Sequence, residues 1–193
     1  MANVDDVAAF IQERTGPLSA YKLQKLVYYA QAWSLAWTGN PLFREKIKAW
    51  VDGPVVPQLW HNRRNGQHGD PSALTMDQAE TVSAVLDFYE TLSPAQLIEL
   101  SHHEEPWRKA REGLSPRARG NREITPQSMI DFYRPAATGE KVVPDAVRRG
   151  VVFLLAVPEH RLDEPDDADD VDANAVIDWL ESGEDDPWQD DDK

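Results

Sequence analysis

Ser19-Ala20-Tyr21-Lys22-Leu23-Gln24-Lys25-Leu26-Val27-Tyr28-Tyr29-Ala30-Gln31-Ala32-Trp33-Ser34-Leu35-Ala36-Trp37-Thr38 runs twenty residues without a glycine or proline and decides the fold class. Ser19 is a suitable N-cap, because its hydroxyl can accept from a free amide of the first turn. Leu23, Leu26, Val27, Ala30, Trp33, Ser34 and Trp37 recur at three- and four-residue steps and share one stripe, leaving Lys22, Gln24 and Lys25 outside it. The expectation is a helix with one face in a core and the other wet or bound. At 1.5 Å per residue such a helix spans about 30 Å, the width of a small domain, so other helices must pack along it. Gly39, tolerant of positive φ, and Pro41 beyond it stop the run.

Working outward, Asn3 can cap a first helix over residues 4–14, with Asp5 and Asp6 at its positive end and Val7, Phe10 and Ile11 as its apolar stripe. Thr15-Gly16-Pro17 ends it. Downstream, residues 45–51 alternate in part and predict a short strand, and Asp52-Gly53-Pro54 is a turn signal. Residues 55–62 restart as a helix with Pro57 in its first turn. The glycine and prolines of Gly53-Pro54-Val55-Val56-Pro57 then set a rigid turn that positions Trp50 and Trp60 against the long helix.

Residues 75–92 read as a further helix with Met76, Ala79, Val82, Leu86 and Tyr89, or Val85 and Phe88, at core spacing, and Ser93 opens another through Leu97, Ile98 and Leu100. Residues 106–122 form a basic loop after a short helix, residues 123–125 a strand beside 47–51, and Thr125-Pro126 starts a helix with Met129, Ile130 and Tyr133 inward. The apolar run Val151 to Ala156 belongs to a final helix over 148–157 that closes the core. The predicted architecture is mainly α: a single helical domain over residues 1–160 with a small two-stranded β element, followed by an acidic, largely disordered tail over 161–193.

Charge sharpens that division. Residues 163–193 hold fifteen Asp and Glu against one Lys, while residues 1–162 hold nineteen acids and nineteen bases, so the tail carries the whole net charge of −14. So much like charge resists burial and leaves little apolar surface to offset the entropy of ordering. One short helix is expected within the tail, at 172–182, where Asp172 caps, Gly183 terminates, and Val176, Ile177 and Leu180 line one side beside Trp179. A helix this short is marginal alone, so its stripe wants a partner, either a basic protein or the chain's own arginine loop.

Chemistry is hard to find. The absence of cysteine removes disulfides, thiol catalysis and cysteine-ligated zinc. His102-His103-Glu104-Glu105 contains metal-ligand types, but neighbouring helical positions diverge by about 100° and no HExxH spacing occurs. An enzyme would need His102 and Glu105 to meet acids from elsewhere in a pocket. Nucleophile elbows and glycine-rich phosphate loops are lacking, so no catalytic residue, metal or cofactor is expected. No window reaches the roughly 18 apolar residues of a membrane span, and residues 1–6 carry two acids where a leader would be basic, so a cytoplasmic protein without membrane contact is expected. Arg117 and Arg119 in the basic loop could touch phosphates, yet a neutral body and a polyanionic tail make nucleic acid an unlikely partner.

The aromatics point to protein binding instead. Seven tryptophans exceed what one modest core needs, and Trp, Tyr and Arg supply large contact area at low entropic cost. Tyr28 and Tyr29 are the favoured exposed pair, since adjacent helical residues do not face the same way. The expected partner-binding set is Tyr28, Tyr29, Trp50, Trp60, Arg117, Arg119, Val176, Trp179 and Leu180.

Lys22-Leu23-Gln24-Lys25-Leu26-Val27-Tyr28-Tyr29-Ala30-Gln31, then residues 36–43 ending in Pro41-Leu42-Phe43, then Ala49-Trp50 and Gly53-Pro54-Val55-Val56-Pro57 together resemble the Panacea, or SocA-like antitoxin, domain, which is related to phage-associated GepA-type proteins. Ser101-His102 and Glu105-Pro106-Trp107 resemble that family's second block, and the likeness covers roughly residues 4–133. The resemblance implies a mostly helical antitoxin that neutralises a cognate protein toxin by binding it. It also implies one alternative, an adaptor delivering the toxin to a ClpXP-type protease, while the arginine loop leaves a second, a DNA-binding autoregulator.

Overall fold

The computed structural model describes residues 2–137 together with Lys141 and Val143. The first helix, α1 (Val4–Thr15), opens on a reciprocal cap in which Asn3 Oδ1 accepts from the amides of Asp5 and Asp6 while Asp6 Oδ2 accepts from the Asn3 amide at 2.9 Å. The long helix, α2 (Ala20–Thr38), runs from a Ser19 cap to Gly39 in the left-handed conformation at φ 74°. Five further helices follow among the described residues: α3 (Pro57–Arg64), α4 (Met76–Tyr89), α5 (Pro94–His103), α6 (Glu105–Ala110) and α7 (Pro126–Tyr133). Both α4 and α5 open on the same side-chain box, Thr75 with Gln78 and Ser93 with Gln96.

The strands β1 (Ile47–Trp50), β2 (Gly53–Val55) and β3 (Glu123–Ile124) form an antiparallel sheet in the order β2-β1-β3. The anticipated pairing of the 47–51 and 123–125 segments is present, with Ile47 opposite Ile124. A third strand corrects the expected two-stranded element. Gly53 sits at φ 97°, which lets the chain reverse tightly enough for Gly53 and Pro54 to pair with Trp50 and Ala49. Pro54 is tolerated because β2 is an edge strand, where a missing amide donor costs no ladder bond.

The larger correction concerns α2. Every residue from 23 to 36 is buried, so the helix has no wet face and stands in the middle of the molecule. It packs against α1, α4, α5, α7 and the β2 edge. Its apolar side chains meet Val7 and Ile11 of α1, Val82, Val85 and Tyr89 of α4, Leu97 of α5, and Met129 and Tyr133 of α7 in one core. Met76, expected in that core, is 81% exposed. Ile130 and Phe88 lie partly buried at its margin. The 148–157 helix and the 172–182 helix fall outside the described residues.

Candidate functional site

Gln24 and Lys25, which had been assigned to an outer face, are buried, and together with Gln31 and Ser34 they bond to the backbone of the segment that returns after the helix. Gln24 accepts from the Val56 amide at 2.8 Å and donates to the Val56 carbonyl at 3.2 Å. Seven residues on, Gln31 accepts from the Leu42 amide at 2.8 Å and donates to the Phe43 carbonyl at 2.9 Å. Ser34 donates to the Asn40 carbonyl at 2.8 Å, and Lys25 Nζ donates to the Pro54 carbonyl at 3.0 Å. A buried backbone group needs a partner, and irregular segments cannot pair with themselves as a helix or sheet does. The side chains of α2 therefore act as the missing ladder for residues 40–43 and 54–56, on either side of the β1–β2 turn.

Around Lys25 the packing is close. A β-carbon on Gly53 would stand 2.7 Å from both Lys25 Cε and Ser101 Oγ, so only glycine admits the lysine stem at that point. Burial lowers the Lys25 amine to about 7, with Asp52 pulling the other way. His102, next to Ser101, stacks on Trp107 with ring centroids 3.9 Å apart and an interplanar angle of 16°. Burial, together with the positive charges of Lys25 and Arg111, lowers its imidazole to about 4, so it is neutral at pH 7.

The second buried group is Glu104. Its Oε2 accepts from the Tyr133 hydroxyl at 2.6 Å, and the same hydroxyl lies 3.2 Å from that of Tyr28. Burial raises the carboxyl to about 8, against the lowering effect of the Tyr133, Tyr29 and Tyr28 hydroxyls. Tyr29 stacks on Tyr89 at 4.0 Å, and Trp33 Nε1 donates to the Tyr89 hydroxyl at 3.0 Å. Tyr28 and Tyr29 are both fully buried, which overturns their assignment to an exposed surface. Adjacent residues do diverge on a helix, but α2 is enclosed on both of the sides they face, by α7 and by α4.

The run His102-His103-Glu104-Glu105 is likewise dispersed: His102 to Trp107, His103 to Glu99, Glu104 to Tyr133, and Glu105 to Lys109. Among the described residues, no three His, Asp or Glu side chains gather where a metal ion would sit.

What remains outside is a face built by β1, α6 and the loop from 111 to 122. Trp50 is half-buried at the end of β1, and its carbonyl accepts from Trp107 Nε1 at 2.9 Å. The organiser of the loop is Arg111, 6% exposed, which sequence reasoning grouped with the solvated arginines. Its guanidinium lies over the Trp107 ring at 5.1 Å and donates to the Ala49 carbonyl at 3.1 Å and the Ala118 carbonyl at 2.6 Å. Gly120 clears the way, since a β-carbon there would stand 2.5 Å from Arg111 Nη1 and 2.8 Å from the Ala49 oxygen. The only sequence signal for that role was its place four residues after Trp107, one helical turn on.

Held this way, the loop presents Arg117 and Arg119 exposed on the side of the body that carries Trp50 and Trp107. Trp60, half-buried on α3, packs edge to face on Tyr21 of α2 at 6.4 Å, in line with the expected seating of that residue on the long helix. Val176, Trp179 and Leu180 lie outside the described residues.

The helical body thus spends its buried polar groups on its own backbone and leaves tryptophan and arginine at one edge. Residues 23–108 match the family described as Antitoxin SocA-like, Panacea domain. The match runs from the start of the buried stretch of α2 to α6 and is narrower than the 4–133 span of the sequence resemblance; α1, β3 and α7 lie outside it and complete the core around it. It supports an antitoxin-type role, with a protein as the general kind of partner. No curated protein and no solved structure matches the chain. No helix among the described residues is long and apolar enough to cross a membrane.

Proposed function

We propose that this protein neutralises a cognate protein toxin by binding it directly through the face formed by Trp50, Trp107, Arg117 and Arg119. The observation that carries the reading is the clamp of Arg111 on Ala49 and Ala118, which fixes an arginine-bearing loop beside two half-buried tryptophans. Interfaces draw most of their binding energy from a few Trp, Tyr and Arg residues held in place before the partner arrives. The family match supplies the antitoxin-type role, and the acidic stretch 163–193 would speed encounter with a basic toxin.

The test is co-expression with the product of the neighbouring reading frame. Wild type is expected to restore growth and to co-purify with that product. Arg117→Ala combined with Arg119→Ala is expected to abolish both while leaving the melting temperature unchanged. Rescue by the double variant at full strength would remove this face from the toxin interface. Rescue that depends on an active ClpXP-type protease would convert the reading from blocking to delivery.

A further inference from the structure

Between α1 and α4 lies an open groove of about 530 Å³ that the antitoxin reading does not use. The two helices run side by side in the same direction. Asp6, in the first turn of α1, accepts from the Asp70 amide just ahead of α4, while Lys22, in the first turn of α2 just after α1 ends, donates to the Glu90 carbonyl at the end of α4. The groove therefore has two different ends. At one stand Met76, 81% exposed, and Lys141, whose Nζ holds the Asp77 carboxylate and lies 3.6 Å from Glu80. At the other, in the last turns of their helices, stand Arg14 and Asp87, both exposed and without an ion-pair partner among the described residues.

The floor between these ends is shallow, because Ala79, Ser83 and Ala84 of α4 are short beside Phe10 of α1. Small side chains at a contact let a second helix approach closely. Two copies related by a two-fold axis meet through one patch that must be complementary to itself, each contact occurring twice. This groove meets that condition. An axis level with Glu80 lays the two α4 helices antiparallel and places each end of the groove over the opposite end of the other copy. Met76 and Ala84 lie four residues to either side of that level, about 6 Å along the helix, so the exposed methionine of one copy falls on the short residues of the other. Arg14 then faces the partner's Glu80, and Asp87 faces the partner's Lys141. The charged side chains lining the groove are two cations and two anions, so a strongly basic or strongly acidic partner gains no net attraction, whereas a second copy meets alternating charges.

We propose that the groove between α1 and α4 is a self-association surface, filled by the same groove of a second copy of this chain in a two-fold dimer. Met76 is its anchor, and Ser83 and Ala84 of the partner are the socket. The inference does not rest on the proposed toxin-binding face, which is built by β1, α6 and the 111–122 loop.

Sedimentation of the full-length chain, at a salt concentration that screens the two acidic stretches 163–193 from each other, is expected to show a concentration-dependent dimer. Met76→Asp and Arg14→Glu should each raise the dimer dissociation constant at least tenfold with helix content unchanged. Adding Glu80→Lys to Arg14→Glu should recover most of that loss. The absence of cysteine lets the register be read directly. Chains carrying Met76→Cys, mixed with chains carrying Ala84→Cys, should form mixed disulfides at least tenfold faster than the same chains mixed with Gln127→Cys. A monomer at every concentration, a dimer indifferent to Met76→Asp, or mixed disulfides no faster than the control would overturn the assignment.

Discussion

Gln24 and Val56 are paired as two strand residues would be, the glutamine amide taking both the N–H and the carbonyl of a residue 32 positions away. Replacing it with Gln24→Leu keeps the volume roughly constant and leaves both backbone groups buried without a partner. Each such group costs about 1–3 kcal/mol, so unfolding in urea should show a loss of about 3 kcal/mol. A loss under about 1 kcal/mol would mean that residues 40–56 are held chiefly by their apolar contacts.

Gly53 is the second dependence of the same region. Gly53→Ala would place a methyl group 2.7 Å from Lys25 Cε and from Ser101 Oγ, at a backbone φ of 97° that side chains disfavour. A destabilisation of about 2 kcal/mol or more is expected. Combining it with Lys25→Ala should recover part of the loss in a double-mutant cycle, because one of the two obstructing groups is gone. Strict additivity of the two substitutions would show that strain at the backbone, rather than contact with the lysine, dominates.

Stability against pH should carry the mark of Glu104. The folded carboxyl is raised to about 8 from an ordinary 4.5, so the native state keeps a proton that the unfolded chain gives up. The contribution is fully present below 4.5 and is lost as pH rises toward 8, with a slope approaching 1.4 kcal/mol per pH unit from this group. Lys25, lowered to about 7, acts in the opposite sense over a higher window, from 7 to its ordinary 10.5. Glu104→Gln should therefore flatten the pH dependence between 4.5 and 8 while leaving the limb above 8 in place. An unchanged slope in that window would place the carboxyl in a wetter setting than its bond to Tyr133 implies.

Tyr28→Ala and Tyr29→Ala should unfold the protein or cost about 3–5 kcal/mol, as large buried aromatics do, and any loss of antitoxin function would follow from that. Tyr29→Phe, which keeps the ring stacked on Tyr89, should retain most of the stability. A folded Tyr29→Ala protein that selectively fails to bind its partner would return this residue to the interface.

Arg111→Lys tests the clamp separately from the arginines it positions. Lysine keeps the charge but loses the planar fork that reaches Ala49 and Ala118 together. Faster hydrogen exchange across 115–120 and weaker partner binding are expected, with the α2 core unaffected. Unchanged exchange in that loop would assign its shape to Gly120 and the β3 pairing alone.

Several helix starts were legible because caps are local: Asn3, Ser19, Ser93 and Thr125 each do what their neighbours in sequence require, and Gly39 closes α2 at positive φ, whereas Val55, expected in a helix, belongs to β2 and α4 stops at Tyr89 rather than 92. The β1–β3 pairing was anticipated, although residues 123–125 hold a single apolar side chain, Ile124, which the structure sets opposite Ile47. The family likeness rested on a linear motif and is matched over residues 23–108. What misled was the polar content of α2. A sequence stripe separates apolar from polar residues, and it assigns the polar ones to water by default. Here Gln24, Lys25 and Gln31 are turned inward, beside Ser34 that the stripe already placed there, because residues 40–43 and 54–56 bring unpaired amides and carbonyls to the helix, and polar side chains satisfy those groups where water is excluded.

The same reason governs the site. Tyr28 and Tyr29 looked like a surface because one helix considered alone has an outside, and only the packing of α4 and α7 removed it. Arg111 looked like one arginine among many in a solvated loop until β1 and the 115–118 carbonyls converged on it. Sequence alone settled the helical class, the caps, the lack of cysteine and the concentration of negative charge in the C-terminal stretch, all of which depend on neighbours along the chain. The tertiary structure decided which polar groups are buried and which arginines face outward, because burial depends on partners that arrive from 30 to 100 residues away.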